Sequence, residues 1–216
     1  MNKHYKLLIF DWDGTLMDSE RKIVNCFHAA VRDTGIDPVD DERIRNVIGL
    51  GLKEAMDELF PQHDDATRIR VSDAYREHFL HKDKTEMPMF PGVVEGVKRL
   101  HQDRFTLAVA TGKARRGLDR VLGGHELEHV FSVTRCADEA VSKPHPLMLE
   151  QILQHTGVSA ENALMIGDST FDLQMAANAG MDSLAVSYGV QTCERLLEHK
   201  PIGCIHQFDE IHEWLD

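Results

Sequence analysis

The stretch Leu7-Leu8-Ile9-Phe10-Asp11-Trp12-Asp13-Gly14-Thr15 decides the fold. Its first half is an unbroken apolar run. A strand wet on one face would alternate apolar and polar residues, so this one is expected to be covered on both faces, as in a parallel sheet with helices on either side. Its second half is a polar turn carrying Asp11 and Asp13. The same order recurs where Leu107-Ala108-Val109-Ala110 runs into Thr111-Gly112-Lys113, and where Ala163-Leu164-Met165-Ile166 runs into Gly167-Asp168-Ser169. Phe131-Ser132-Val133 and Ser183-Leu184-Ala185-Val186 are weaker strand candidates.

Helical spacings separate these runs. Val93, Val97 and Leu100 predict one helix after Pro91-Gly92. Leu147, Ile152 and Leu153 predict a second, closed by Gly157, and Leu173 with Met175 to Ala179 a third, stopped by Gly180. Strands alternating with helices of this size imply a doubly wound, Rossmann-like α/β parallel sheet. Residues 17–85 break the alternation. Ile23, Phe27, Ala30 and Val31 mark a helix; Leu52, Ala55, Met56, Leu59 and Phe60 mark another; Val71, Tyr75, His78 and Phe79 mark a third. An α-helical cap domain over 17–85, inserted into a core made of 1–16 and 86–216, is the expected organisation. Met87-Pro88-Met89-Phe90-Pro91 returns the chain to the core.

In an open parallel sheet the ligand crevice lies beyond the carboxyl ends of the strands, so the three polar clusters are expected to meet there. They bring carboxylates (Asp11, Asp13, Asp168), a hydroxyl beside a glycine (Thr111-Gly112) and a lysine (Lys113). Asp172 follows Asp168, and Ser142-Lys143-Pro144 adds a second lysine. Carboxylates gathered with hydroxyl and ammonium groups suit a hard cation with oxygen ligands, Mg2+ above all, sharing its shell with a substrate phosphate.

Asp11-x-Asp13-Gly14-Thr15-Leu16, Thr111-Gly112, Lys143-Pro144 and Gly167-Asp168-x-x-x-Asp172 resemble the four motifs of the haloacid dehalogenase superfamily, in their usual order. The phosphatase branch fits, and within it the phosphoglycolate phosphatase-like subgroup with a helical cap. The resemblance implies a role for each residue. Asp11 is the nucleophile and a metal ligand. Asp13 protonates the leaving oxygen, then activates the water that hydrolyses the phosphoaspartate, and its main-chain carbonyl is a further metal ligand. Thr111 and the Gly112 amide hold phosphoryl oxygens, Lys143 neutralises charge, and Asp168 completes the metal shell. Asp172 holds Lys143 or a metal-bound water in place. A carboxylate approaching a phosphate dianion at ~3 Å meets repulsion of about 11 kcal/mol at an effective dielectric of ~20, so cancelling charge must come first.

The net charge of −12 argues against nucleic acid as a partner, since backbone binding needs a basic face, and leaves an anionic small molecule open. No apolar run spans a bilayer, and the segment from Met1 to Lys6 leads into a run too short for a secretory signal, so a cytoplasmic location is expected. Cys26, Cys136, Cys193 and Cys204 form no C-x-x-C pair and read as reduced thiols. His125 and His129 have i, i+4 spacing, but Gly123-Gly124 argues against a regular helix there and no third ligand lies nearby, so they read as surface histidines. Trp12 reads as a core residue. Lys113, Arg115 and Arg116 lie beside the second motif and could meet an anionic substrate, but they read first as a charged helix start facing solvent. Gly49-Leu50-Gly51-Leu52-Lys53 resembles the cap loop that reaches over the site in relatives.

The leading expectation is a phosphatase for a small phosphorylated metabolite, 2-phosphoglycolate first, working as a monomer or homodimer. A sugar phosphomutase or a pyrophosphatase on the same fold is the alternative. A regulatory protein carrying phosphoaspartate as a signal belongs to another class. Asp13 argues against it by promoting hydrolysis, and against dehalogenase chemistry, which dispenses with that acid/base.

Overall fold

A computed structural model describes residues 5–215. The reading of the amino-terminal segment therefore lies in part outside the described residues. The order is β1 (Leu7–Phe10), α1 (Glu20–Thr34), α2 (Asp41–Arg45), α3 (Leu52–Leu59), α4 (Asp65–Glu77), α5 (Val93–Gln102), β2 (Thr106–Thr111) and α6 (Arg115–Gly124). It continues with β3 (Val133–Cys136), α7 (Leu147–Thr156), β4 (Ala163–Gly167), α8 (Thr170–Asn178), β5 (Asp182–Val186), α9 (Cys193–Leu197), β6 (Gly203–Ile205) and α10 (Glu210–Leu215). A π-helical turn, His78–Lys82, extends α4.

All strand pairs are parallel and the sheet order is β3-β2-β1-β4-β5-β6. This is the doubly wound α/β order, whose direction reverses between β1 and β4. Successive side chains point to opposite faces, and both faces of β1 are dry. Leu8 and Phe10 pack with Val97 and Leu100 of α5, Leu118 and Leu122 of α6 and Ile211 of α10. Leu7 and Ile9 pack with Met148, Leu149 and Ile152 of α7 and Met175 and Ala176 of α8. Burying each such side chain fully contributes roughly 1.5–3 kcal/mol, which is why the sequence shows an apolar run here rather than alternation.

The register sets the site. Leu7 to Phe10 pair with Ala163 to Ile166, and the Asp11 amide donates to Ile166 O at 3.0 Å. Asp11 and Asp168 thus leave neighbouring strands side by side at the point where the winding reverses.

Residues 20–82 form a helical layer between β1 and β2 with an apolar cluster of its own, built from Ile23, Phe27, Val31, Ile44, Met56, Leu59 and Phe60 among others. Gly35, at φ 68°, ends α1. The two strands of chain entering and leaving this layer lie together. Asp18 N donates to Pro88 O (2.8 Å), Phe90 N donates to Leu16 O (3.0 Å), and Met17 bridges Met89 in antiparallel fashion.

Three expectations shift. The third strand begins at Val133, because Phe131 turns its ring edge-on to Trp12, 6.2 Å away, and serves packing instead. The inward stripe of α7 is Met148, Leu149 and Ile152, while Leu147 and Leu153 are half-buried. The short β6 joins the sheet edge without having been foreseen. Trp12 is fully buried, as read. The four cysteines are free thiols, and burial pushes those of Cys26 and Cys136 up to about 12. Among the described residues no helix is long and apolar enough to cross a membrane.

Candidate active site

Asp11 sits one residue beyond β1 and is 1% exposed. Its Oδ1 lies 2.8 Å from Lys143 Nζ in a buried ion pair, and its Oδ2 has no hydrogen-bond partner. Lys143, fully buried, also donates to Asp172 Oδ1 at 2.6 Å. Asp172 is held by the start of α8, where Ser169 donates through its amide (3.2 Å) and its hydroxyl (2.6 Å) to Oδ2 in a capping box. A carboxylate in the first turn also suits the helix dipole. Asp172 is thus occupied at both oxygens, as a residue that orients Lys143 should be.

Asp168 follows β4. Its Oδ1 accepts from Thr15 Oγ1 (2.9 Å) and its Oδ2 from the Val190 amide (2.8 Å). Gly14 makes this possible. It takes φ 85°, and a Cβ there would stand 2.1 Å from Asp168 Oδ2, so only glycine turns the chain this close. Neither Thr15 nor Val190 was foreseen as a support, and for Val190 the sequence carries no signal, because a backbone amide is donated whatever the side chain.

Electrostatics mark the place. Burial, then the neighbouring Asp172 and Asp168, push the Asp11 carboxyl well above the carboxylate range against the pull of Lys143. Burial, then Asp172, pushes Asp168 up to about 7, opposed by its hydrogen bonds. For Lys143 burial disfavours the charged form, but Asp11 and Asp172 outweigh it and hold the ammonium above the ordinary lysine range. Oxygens of Asp11, Asp168 and Asp172 all lie within 4.8 Å of one another. With all three carboxylates ionised, the single Lys143 ammonium would leave two negative charges in a dry site. That balance and the unpartnered Oδ2 of Asp11 fit a divalent cation with oxygen ligands. Among the described residues the histidines form no comparable group, and the pair at His125 and His129 lies past the end of α6.

The remaining expected residues lie at the same end of the sheet, around the end of β2. Thr111 ends β2, fully buried, and its Oγ1 accepts from the Lys113 amide at 3.2 Å. Gly112 lies under the Gly49-Leu50 segment of the helical layer, where an added Cβ would stand 2.4 Å from Leu50 O. The neighbouring Gly51 amide donates to Ser142 Oγ at 2.8 Å. The loop at residues 49–51, just before α3, therefore touches the segments that carry Gly112 and Lys143. Asp13 stands apart from the carboxylate group: Lys113 Nζ donates to both its oxygens, at 2.9 and 2.8 Å. This corrects the reading of Lys113 as solvated, since its side chain is only 8% exposed. Arg115 instead binds Glu139, Asp119 and Thr134, a structural clasp between α6 and β3, and Arg116 is exposed.

A cation bound here would stabilise the fold by mass action. Mg2+ at about 100 times its dissociation constant would add about 2.7 kcal/mol, or roughly 5–11 °C of melting temperature for a chain of this size. Asp168→Asn is expected to abolish that shift in a thermal melt; an undiminished shift would place the ion elsewhere.

Comparison with known proteins agrees with this geometry. The chain is 36% identical over 211 residues to a protein named probable phosphatase IndB from Dickeya dadantii, covering 95% of this chain and 91% of that one. It is 32% identical over 209 residues to a phosphoglycolate phosphatase of Aliivibrio fischeri, covering 93% and 92%. The crystal structure of a predicted phosphatase from Clostridium acetobutylicum superimposes with a TM-score of 0.86 at 25% identity, over 98% of each chain. The profile of the haloacid dehalogenase-like hydrolases matches residues 8–186, from β1 through β5 with the whole site between. The chain is an enzyme of the haloacid dehalogenase-like hydrolase family.

Proposed function

We propose that the chain is a magnesium-dependent phosphatase that hydrolyses a small organic phosphate monoester, with 2-phosphoglycolate as the first candidate, through a phosphoaspartate on Asp11. The observation that carries this is the Asp11 carboxylate: buried at the reversal point of the sheet, paired with Lys143 through Oδ1, and with Oδ2 uncommitted to the protein. Asp11, Asp168 and the main-chain carbonyl of Asp13 would hold the ion, which supplies positive charge against the phosphate and the carboxylates. Asp11 attacks phosphorus. Thr111 and the Gly112 amide bind the phosphoryl oxygens, and Lys143, held by Asp172, offsets charge on both reactants. Asp13 gives a proton to the leaving oxygen and takes one from the water that cleaves the acyl phosphate. The transition state is largely metaphosphate-like, so positioning and charge compensation are what the residues contribute.

The helical layer serves as the cap, with residues 49–51 lying over Gly112 and Ser142 to keep bulk water from the reacting centre. A free metabolite fits such a covered site better than a phosphorylated protein. A cytoplasmic enzyme, monomeric or homodimeric, belongs to the same reading.

The test is phosphate release from a panel of phosphoglycolate, hexose phosphates, nucleotides, pyrophosphate and an aryl phosphate, with Mg2+ and with chelator. Mg2+-dependent release, highest with phosphoglycolate, is the expected result; release only from pyrophosphate, or transfer between sugar positions, would overturn the substrate class. Asp13→Asn is expected to keep the Mg2+ thermal shift yet lower kcat about 10²–10⁴-fold. Near-normal kcat in that variant would remove Asp13 from its role.

A further inference from the structure

Lys113 has no task in the scheme above, yet it is built into the centre. Its ammonium donates to both oxygens of Asp13 and is nearly sealed from solvent. From the helical layer the Phe79 ring covers it, with the centroid 5.3 Å from Nζ. Phe79 stacks on Tyr75 at 5.6 Å, and Tyr75 in turn meets Phe27 at 4.6 Å, so an aromatic wall closes over a core lysine. Lys22 touches the same ring at 5.4 Å, but it is committed to the Asp83 carbonyl at 3.1 Å and faces the Asp83 carboxylate at 3.9 Å. Lys113 has Asp13 as its ion-pair partner.

That pairing conflicts with turnover. Asp13 can turn to the leaving oxygen only by giving up one or both bonds from Lys113. A desolvated ammonium against an aromatic wall is then short of an acceptor, which is costly. An anion carried by the substrate near its ester oxygen would fill the vacancy, because Lys113 already reaches the group that serves that oxygen.

We infer that Lys113, covered by Phe79, binds a second anionic group of the substrate, of carboxylate class, close to the ester oxygen, and so selects phosphate esters that carry a carboxylate besides the phosphate. The inference rests on the phosphatase reading above and narrows its substrate class. It makes Lys113 a specificity residue supplied by the core and covered by the helical layer.

The test compares 2-phosphoglycolate with ethyl phosphate, which keeps the two-carbon skeleton and replaces the carboxylate by a methyl group. Wild-type enzyme is expected to prefer phosphoglycolate in kcat/KM. In Lys113→Met that preference falls about 30-fold, the size of a lost charge-assisted hydrogen bond, mainly through KM. Lys113→Arg keeps most of it. Equal fractional losses on both esters in Lys113→Met would mean that Lys113 only orients Asp13, and would overturn the inference. So would a wild-type enzyme indifferent to the carboxylate, a result that needs no variant to fold. An aryl phosphate in the same assay separates the two claims. Its hydrolysis without any carboxylate preference sinks the inference alone, whereas no release from any ester sinks the phosphatase reading and the inference with it.

Discussion

Asp11→Asn is expected to lower kcat by about 10⁴-fold or more and, in the absence of metal, to raise the melting temperature. The first effect follows from the loss of the proposed nucleophile, since an amide oxygen cannot form the proposed acyl phosphate and the remaining groups would act as a unit around it. The second follows from its surroundings. Burial, with Asp172 and Asp168 adding to it, holds the Asp11 carboxyl well above its ordinary range. A carboxyl raised on folding takes up its proton more tightly in the folded chain. Its ionised form therefore subtracts from stability as pH rises above the unfolded value, and by neutral pH that loss is present. The amide removes the charge at nearly constant shape. A gain of about 1 kcal/mol, or 2–4 °C, is expected in a chelated melt. A variant that melts lower than wild type would show that Asp11 stabilises the empty site through Lys143 more than it strains it.

Lys143→Ala acts in the opposite direction on stability. It leaves Asp11 and Asp172 buried without their shared cation, and breaking a buried pair from one side costs about 3–5 kcal/mol. The melting temperature is expected to fall by roughly 6–20 °C. Phosphatase turnover should be lost as well, because charge on Asp11 and the phosphate is no longer offset. Mg2+ should recover part of the stability and none of the turnover, which separates folding from chemistry. A variant that melts within about 2 °C of wild type would mean that the site relaxes by protonation or water entry, and that Lys143 is not the charge holding it together.

Most of the frame was legible because burial on two faces leaves a strong mark. Leu7-Leu8-Ile9-Phe10, Leu107 to Ala110 and Ala163 to Ile166 fall in β1, β2 and β4, and the polar residues that follow them meet at one end of the sheet. What escaped was short or non-local. Gly203-Cys204-Ile205 is too brief to show a period. Phe131 reads as a strand residue by composition, and only its contact with Trp12 reveals otherwise. Lys113 reads as solvated beside two arginines, and the groups that enclose it, Asp13 and Phe79, come from distant parts of the chain. The Val190 amide on Asp168 was not legible at all, since its partner is main chain. In each case the missing information is tertiary, and no propensity or spacing stands in for it.

The central claim is that Asp11 becomes covalently phosphorylated. The direct measurement is rapid acid quench of the Mg2+-loaded enzyme with a 32P-labelled phosphate ester, followed by isolation of the protein. Label on the chain that hydroxylamine releases, as it does from acyl phosphates, and that is missing in Asp11→Asn, is the predicted result. Phosphate release at full rate with no labelled protein, or label that persists in Asp11→Asn, would contradict it.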